Sequence, residues 1–417
     1  MYQRGIEIDP DFAGLYEDIA LANGALSKYD LMASNLVRAY QMRERMTEKS
    51  RLNIEYLYYS HETGELDKAH AAMLRALQLF PREAGFHNNL AHTLLALGEL
   101  NQAVEVEDET ARLAPSARNF SSAAGVNLAA SKFNEAESWL ARADAFKFDS
   151  FNLRILKARL AFLQGNRTAL DQALNREAHV PDVYMVLRER SEALQGHFNS
   201  ADHIRLQAPK QFSHPVNTAL ENAEAGRIVE ARKIEDQVFQ GDLESDLRLV
   251  LALSLARTGR TEEAKRIADK VSQERPLDLL VHKYCLPTVR SAVKLQERDP
   301  KAAIDLLRES VPYELAQIPA TGFLYPAYIR GLAYLELNDG RSAAHEFQKL
   351  IDNRGLCGEF IIGSLAWLQL GRAQSLMGDN ESARKSYEEF LKIWKDADPD
   401  IPVLLRAKAE YSQLPKK

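Results

Sequence analysis

The stretch from Trp367 to Trp394 constrains the fold more than any other part of this chain. Bulky residues three or four apart predict two amphipathic helices, and a Gly-Asp-Asn turn separates them. Small residues stand where the helices would cross, and an aromatic residue follows that would fill the gap to a neighbouring pair. In order, the residues are Trp367, Leu370, Gly371, Gly378, Ala383 and Tyr387. One such hairpin cannot bury its own apolar face, so the stretch predicts a stack of hairpins.

The turn residue of this hairpin recurs along the whole chain. The turn positions are Gly64, Gly98, Ser131, Gly165, Gly196, Gly226, Gly259, Arg298, Asn338 and Gly378. Five residues after each turn comes a small residue at Ala69, Ala103, Ala136, Ala201, Ala231, Ala264, Ala303, Ala343 and Ala383. Leu170 departs from this rule and predicts a wider helix crossing. Successive turns lie 30 to 34 residues apart up to Gly259 and 39 or 40 apart after it. Repetition this regular predicts hairpins throughout.

The order of these residues resembles the tetratricopeptide repeat (TPR), whose W-x₂-L-G and A-x₃-F pattern recurs about every 34 residues. The resemblance implies an all-α solenoid, a right-handed superhelix of roughly 11–12 antiparallel hairpins. We expect one TPR array over residues 1–312, with irregular units at about 150–240. Residues 313–417 would form units of longer period and a capping helix. The proline-rich segment from Val311 to Pro326 would be an elbow between them.

Composition excludes several classes of protein. The net charge is −6 and the pI is near 6.0, so we expect no nucleic-acid partner. The longest uncharged apolar run, Leu249–Ala256, is far too short to enter a membrane as a spanning helix. Cys285 and Cys357 are far apart and predict buried small side chains. We expect a soluble, cytoplasmic protein, with the periplasm as the alternative.

Several longer segments resemble a bacterial group of regulators. The segments are 276–290, 312–315, 324–331 and 394–402, together with 51–59 and 87–90. They resemble the TPR-rich C-terminal regions of eukaryotic-like serine/threonine kinases and winged-helix regulators of soil bacteria, notably acidobacteria. The resemblance implies a sensing or docking role for these repeats, within a larger signalling protein. The chain has no Gly-rich phosphate loop, His-Arg-Asp or Asp-Phe-Gly motif, so kinase activity does not carry over.

The first residues have the spacing of the end of a second helix, with Tyr2, Gly5 and Pro10 in its register. An array that begins halfway through a hairpin leaves an apolar face uncovered. Either the chain is cut from a longer protein, or a partner or a second copy covers this face.

No motif predicts catalysis, a metal or a cofactor. His61-Glu62 lacks the second histidine of a zinc-protease helix, and His87 and His92 are five residues apart, a poor spacing for one α-helical face. We therefore expect a non-enzyme that binds a protein or peptide. The alternatives are a small-molecule sensor with a pocket near residues 311–328, lined by Tyr313, Tyr325 and Tyr328, and an unrecognised enzyme.

Partner binding is expected on the concave face, which the first helix of each hairpin lines. Polar and aromatic side chains there suit a peptide, since amides pair with backbone and Arg binds carboxylates. Each could instead serve packing or an internal ion pair. Basic residues are missing around Asn88, which argues against a chaperone-type carboxylate clamp. The candidates are Tyr58, His61, Asn88, His92, Ser121, Arg159, Arg190, Tyr325, Tyr328 and Arg372.

Overall fold

A computed structural model gives the architecture. It describes residues 4–5, 8–26, 28–175, 182–207, 215–239, 241, 243–317 and 324–415. Within these ranges the chain forms 24 α-helices and no strand, which confirms the predicted all-α solenoid. The helices pair into 11 successive hairpins, within the predicted range of 11–12.

The first five hairpins follow the predicted period. Each consists of a first and a second helix joined by a short turn. Their helices are α1 Ala13–Ala25, α2 Tyr29–Gln41, α3 Glu48–Tyr58, α4 Leu66–Leu79, α5 Ala84–Leu97, α6 Leu100–Leu113, α7 Ala117–Ala129, α8 Phe133–Ala145, α9 Phe151–Leu163 and α10 Arg167–Asn175. A wider π-helical turn, Tyr59–Thr63, extends α3. Pro81 and Pro115 lie between hairpins, as their helix-breaking chemistry predicts.

The remaining six hairpins continue the stack to the C-terminus. Their helices are α11 Asp182–Leu194, α12 Phe198–Gln207, α13 Pro215–Glu224, α14 Ile228–Phe239, α15 Ser245–Arg257, α16 Thr261–Glu274, α17 Leu286–Gln296, α18 Pro300–Leu306, α19 Tyr325–Glu336, α20 Gly340–Asp352, α22 Ile362–Leu376 and α23 Asn380–Ile393. The short α21, Arg354–Cys357, lies between the last two hairpins, and α24, Pro402–Gln413, is the predicted final helix.

The turns adopt the conformation that the sequence predicts. All ten predicted turn residues have a positive φ, including the non-glycines Ser131, Arg298 and Asn338. A left-handed residue reverses the chain after a helix, and glycine adopts it without steric cost. The alanines five residues later are all buried, because each lies where its helix crosses the partner helix.

The superhelix closes on itself, which the sequence did not predict. The Leu279 N–H donates to the Gly64 carbonyl at 3.1 Å, and the Gln317 N–H donates to the Leu95 carbonyl at 2.8 Å. Further contacts of the same kind join Gly355 to Ser131, Glu359 to Arg159, Trp394 to Leu194, Asp398 to Gly196 and Val403 to Ala225. The hairpins from the second to the seventh therefore contact the connections, or the final helix, that follow about one superhelical turn later. We call this line of contacts the closing seam.

The longer C-terminal period has its cause in this seam. The residues that lengthen the period beyond 34 lie largely between hairpins, around residues 278, 316 and 355. Those same connections carry the donors that reach back to the N-terminal turns. One contiguous apolar core contains residues from Ala20 to Leu414, on both sides of the predicted boundary at 312/313. That boundary stays a prediction, and four residues of the predicted half-hairpin at residues 2–10, including Tyr2, lie outside the described residues.

Candidate functional site

Three exposed donor groups lie on three successive hairpins near the N-terminus. His61 lies in the π turn that follows α3, His92 on α5, and Arg118 on the first turn of α7. All three side chains are exposed, and none has an ion pair or a hydrogen bond of its side chain with the described part of the chain. We call these three residues the His–His–Arg surface.

The electrostatics of the surface show that its members are neighbours. Partial burial lowers the pKa of His61, and the nearby His92 lowers it further. Partial burial also lowers the pKa of His92, with a further contribution from the Arg118 charge. Arg118 even acts on Tyr56, two hairpins earlier, whose pKa burial raises to about 12. Side chains from alternate hairpins therefore influence one another here, and the placement of the surface on the concave side stays a prediction.

Beneath this surface, buried polar side chains form a chain of hydrogen bonds. Asn88 donates to Asn119 Oδ1 at 3.1 Å, and Asn119 donates to the Ala114 carbonyl at 2.7 Å. The other end of the Asn88 amide lies 2.9 Å from the buried carboxyl group of Glu107. Burial raises the pKa of Glu107 to about 7, so a protonated carboxyl can donate to Asn88. Of the predicted residues here, Asn88 and Ser121 are both buried.

Tyr58 lies apart from the His–His–Arg surface. Its ring stacks on Tyr40 of α2 with centroids 3.9 Å apart, so it packs two hairpins together. Tyr56 contacts His61 instead, with ring centroids 6.3 Å apart. The π turn explains why Tyr56, and not Tyr58, contacts His61. A π-helix brings residues i and i+5 together, whereas the α-helical register places residues i and i+3 on one face.

The three predicted arginines of the later hairpins are engaged within the protein. Arg159 donates to Glu359 at 2.7 Å across the closing seam, and Arg190 lies over the Phe360 ring at 5.0 Å. Arg372 binds the Glu410 carboxylate with two donors, each at 2.8 Å. Partner binding through these groups stays a prediction, and it would require each to leave its present contact.

Tyr325 and Tyr328 are buried in the core, each 1% exposed, with ring centroids 6.0 Å apart. The predicted pocket near them rests partly on residues 318–323, which lie outside the described residues. A cavity lined by Tyr325, Tyr284 and apolar neighbours measures about 10 Å³. That volume holds at most one water molecule, so the cavity is too small for an organic ligand.

Two functional candidates escaped the sequence argument, Arg118 and Tyr56. Arg118 precedes Ser121 by three residues and therefore shares its helical face, so a wider scan of that face would have included it. Tyr56 could not be found by α-helical spacing, because no sequence signal marked the π turn.

Comparison with known proteins agrees with the repeat architecture. Residues 365–397 match the family model described as tetratricopeptide repeat. The last full hairpin is thus similar to a TPR unit. A search of curated proteins returns no match.

Two solved structures are similar over most of the chain. The crystal structure of yeast Tom70 is 13% identical, with 96% of this chain and 95% of that chain covered and a TM-score of 0.38. The APC/C hetero-tetramer Cut9–Hcn1 is 12% identical, with 97% and 91% covered and a TM-score of 0.33.

The described residues contain no group of three or more His, Cys, Asp or Glu side chains that could hold a metal. Among the described helices, none combines the length and the apolar character that crossing a membrane requires. Both cysteines are buried, as their small apolar character predicts. The His–His–Arg surface itself offers hydrogen-bond donors and the charge of Arg118 to solvent.

Proposed function

We propose that this chain is a protein-interaction scaffold that binds a protein partner at the His–His–Arg surface. The observation that supports the proposal is the exposure of three donor groups, on three successive hairpins, whose side chains form no hydrogen bond or ion pair with the described part of the protein. Polar groups that serve packing are normally paired, as Arg159 and Arg372 are. Unpaired donors above a rigid, buried amide network suit recognition of a partner on a pre-formed surface.

The resemblance to bacterial regulators extends this proposal. In that setting the repeats are the sensing half of a larger signalling protein, and the bound partner reports to a module encoded upstream. Reading the DNA upstream of the Met1 codon tests this extension. An in-frame kinase or winged-helix segment would support it, and a stop codon directly before a separate ribosome-binding site would contradict it.

Quantitative affinity purification with the full chain tests the binding proposal. Proteins from the source cells are compared for the unmodified chain, for Arg118→Gln, and for Arg112→Gln on α6. Arg112 is an exposed arginine that pairs with Glu109 on the same helix, α6. Its substitution therefore removes an equal charge away from the His–His–Arg surface. We expect at least one partner to be lost with Arg118→Gln alone, and its purified form to show the same difference in calorimetry. If every partner binds both variants equally, the proposed surface is wrong.

A further inference from the structure

The first helix of the seventh hairpin, α13, is rich in polar residues and yet buried over most of its length. Every residue from Val216 to Glu224 is buried, and five of these nine residues have polar side chains. The helix packs against α14 and α15, and the final helix α24 reaches the turn that follows it, where the Val403 N–H donates to the Ala225 carbonyl at 3.2 Å. Buried polar groups are normally paired, so each of these side chains is expected to have a partner.

Three oxygen atoms of α13 have no hydrogen-bond partner in the described part of the protein. They are Asn217 Oδ1, Glu221 Oε1 and Asn222 Oδ1. All three accept hydrogen bonds when Glu221 is ionised, and an unpaired buried acceptor costs free energy. Asn217 and Glu221 are 7% and 4% exposed and lie four residues apart, so they share one face of the helix. A donor or a cation beside this face would remove the cost.

A small cavity lies between this face and α11, the first helix of the sixth hairpin. It measures about 10 Å³, which is room for one particle of the size of a water molecule. Its lining residues are Val186, Glu189, Arg190, Asn217, Thr218 and Glu221. Thr218 Oγ1 donates to Glu189 Oε1 at 2.9 Å, so the two helices are in contact at the cavity. The unpaired oxygens of Asn217 and Glu221 therefore belong to a buried site that is built from two helices.

The charged groups in the cavity wall do not balance. Glu189 and Glu221 provide two carboxyl groups, whereas Arg190 provides a single guanidinium, which lies over the Phe360 ring at 5.0 Å. With both carboxyl groups ionised, the wall carries one excess negative charge. Burial of an unbalanced charge is costly, so the wall favours the addition of one positive charge.

Charged groups beside the wall are already paired. Asp202 and Arg205 of α12, which act on Glu189, pair with each other at 3.0 Å. Arg257 of α15 pairs with Glu224 of α13 at 2.7 Å. Because each pair is neutral in itself, neither supplies the positive charge that the wall favours.

We propose that this cavity binds one monovalent cation of about the size of potassium. Its ligands are oxygen atoms of Glu189, Asn217, Thr218 and Glu221. The Thr218 hydroxyl keeps its lone pairs for the ion, because it donates its hydrogen to Glu189. The ion supplies the charge that the wall lacks and joins the sixth hairpin to the seventh. The inference goes beyond the proposed function and does not depend on it.

The ligand set and the volume of the cavity argue against other metal ions. Oxygen ligands suit potassium, whose hydration shell they can replace, whereas most transition metals prefer histidine and cysteine. Calcium takes about six to eight oxygen ligands and magnesium usually retains several waters, for which this volume has no room. A divalent ion would also leave the wall with an excess positive charge. A water molecule fits the volume but brings no charge, so it is the alternative that an experiment has to distinguish.

Thermal unfolding of the full chain in different chloride salts tests the inference. Potassium, sodium and tetramethylammonium chlorides are compared at equal ionic strength and pH 8.5. Burial and Glu189 raise the pKa of Glu221 to about 8, so at this pH the carboxyl group is mostly ionised; Arg190 and Tyr325 of α19 also face it. Tetramethylammonium is too large for the cavity. We expect the unfolding midpoint in potassium to exceed that in tetramethylammonium by about 1 °C or more at saturation, with a smaller effect of sodium.

Two variants remove ligands, and a third is a control. Glu221→Gln removes a charged ligand, and Asn217→Leu replaces an amide by an apolar group of similar volume. Each should abolish most of the difference between potassium and tetramethylammonium. In tetramethylammonium chloride Glu221→Gln should be more stable than the unmodified chain, because it removes the excess charge, and potassium should reduce that gain. Glu230→Gln, at an exposed position on α14, removes an equal charge elsewhere and should leave the salt difference unchanged.

Crystals of the unmodified chain grown with rubidium chloride locate the ion directly. Rubidium is close to potassium in size and scatters X-rays anomalously. We expect an anomalous peak between Glu189 and Glu221. Its absence would overturn the inference even if a variant failed to fold.

Three further results would overturn the inference. Equal midpoints in the three salts would show that the cavity holds water alone. A potassium effect that either Glu221→Gln or Asn217→Leu retains in full, with helices intact by circular dichroism, would place the ion elsewhere. Sodium at least as effective as potassium would contradict the match in size. The proposed function fails separately, because Arg118→Gln should lose a partner and keep the potassium effect.

Discussion

Individual buried carboxyl groups couple the stability of this protein to pH. Glu107 on α6 is fully buried, and burial raises its pKa to about 7. In an unfolded chain a glutamate titrates near 4.3. The folded state therefore holds a proton that the unfolded state releases between these values. Its contribution to stability is complete below about pH 4.3 and is lost as pH rises through about 7.

Glu107→Gln should remove this dependence. The glutamine amide can donate to Asn88 as the protonated carboxyl does, so its cost at low pH is small. Above pH 7 the variant should be more stable than the unmodified chain, by up to about 1.4 kcal/mol for each unit of pKa shift removed. Urea unfolding between pH 5 and 8.5 measures the difference. Glu105→Gln, an exposed position on the same helix, should leave the pH profile unchanged; an equal effect of both would contradict the assignment.

Glu221 on α13 gives a second case, farther along the chain. Burial and the neighbouring Glu189 raise its pKa to about 8, and its Oε1 has no partner in the described protein. The raised value again means stability present at low pH and lost as pH rises through about 8. Glu221→Gln should therefore stabilise the protein above pH 8, with little effect at pH 5. Thermal unfolding at the two pH values tests this, and Glu230→Gln on the surface of α14 is the control.

At the scale of the helix hairpin, the sequence predicts a great deal. The ten turn positions and the crossing alanines are local requirements, since a left-handed residue and a small side chain are needed wherever helices reverse and cross. What a side chain contacts across the superhelix is a different matter. The sequence around Arg159 predicts an exposed side chain, yet Arg159 pairs with Glu359, 200 residues away. No local pattern carries that information.

The residues predicted for partner binding show the same difference between what local sequence predicts and what it does not. The sequence indicates His61 and His92 as candidates because helical spacing places them on or directly after first helices, and their role in binding stays a prediction. Tyr56 rather than Tyr58 contacts His61 because a π turn shifts the register, and Tyr325 is buried in the core against Tyr328 and Tyr284. The first effect is a local departure from α-helical geometry, whereas the second depends on packing between hairpins.

Two turn glycines separate the local requirement from the long-range one. A Cβ at Gly196 would lie 2.7 Å from Ala397 Cβ and 2.8 Å from the Trp394 ring, whereas a Cβ at Gly378 would meet nothing within 4 Å. Both have a positive φ, so either change to alanine costs about 1–2 kcal/mol of backbone strain. Gly196→Ala should cost about 1–3 kcal/mol more, because it overpacks the seam. Urea unfolding of both variants measures the excess; equal losses would contradict the seam contact at Gly196.

At the scale of the whole molecule, the Arg159–Glu359 pair measures how firmly the seam is closed. The Glu359 side chain is 5% exposed and that of Arg159 is 31% exposed. Arg159→Gln leaves a buried carboxylate unpaired and should cost roughly 1.5–3 kcal/mol, while Glu359→Gln leaves an arginine that water can reach and should cost less. The double variant should recover part of the loss. A double-mutant cycle with hydrogen exchange at α9 and α22 tests this, and strictly additive losses would show that the pair does not hold the seam.

The closing seam also changes what kind of object the repeat array is. An open solenoid behaves as a one-dimensional chain in which each repeat contacts only its neighbours. Here the hairpins of the closing seam also contact a part of the chain about one superhelical turn away. These contacts join the array into a small cylinder. The number of hairpins per turn becomes part of the fold. In an open array, duplication or loss of a single repeat is tolerated. Here it would place every later connection opposite the wrong turn. Evolution can therefore vary the surface residues of these hairpins far more freely than the number of hairpins.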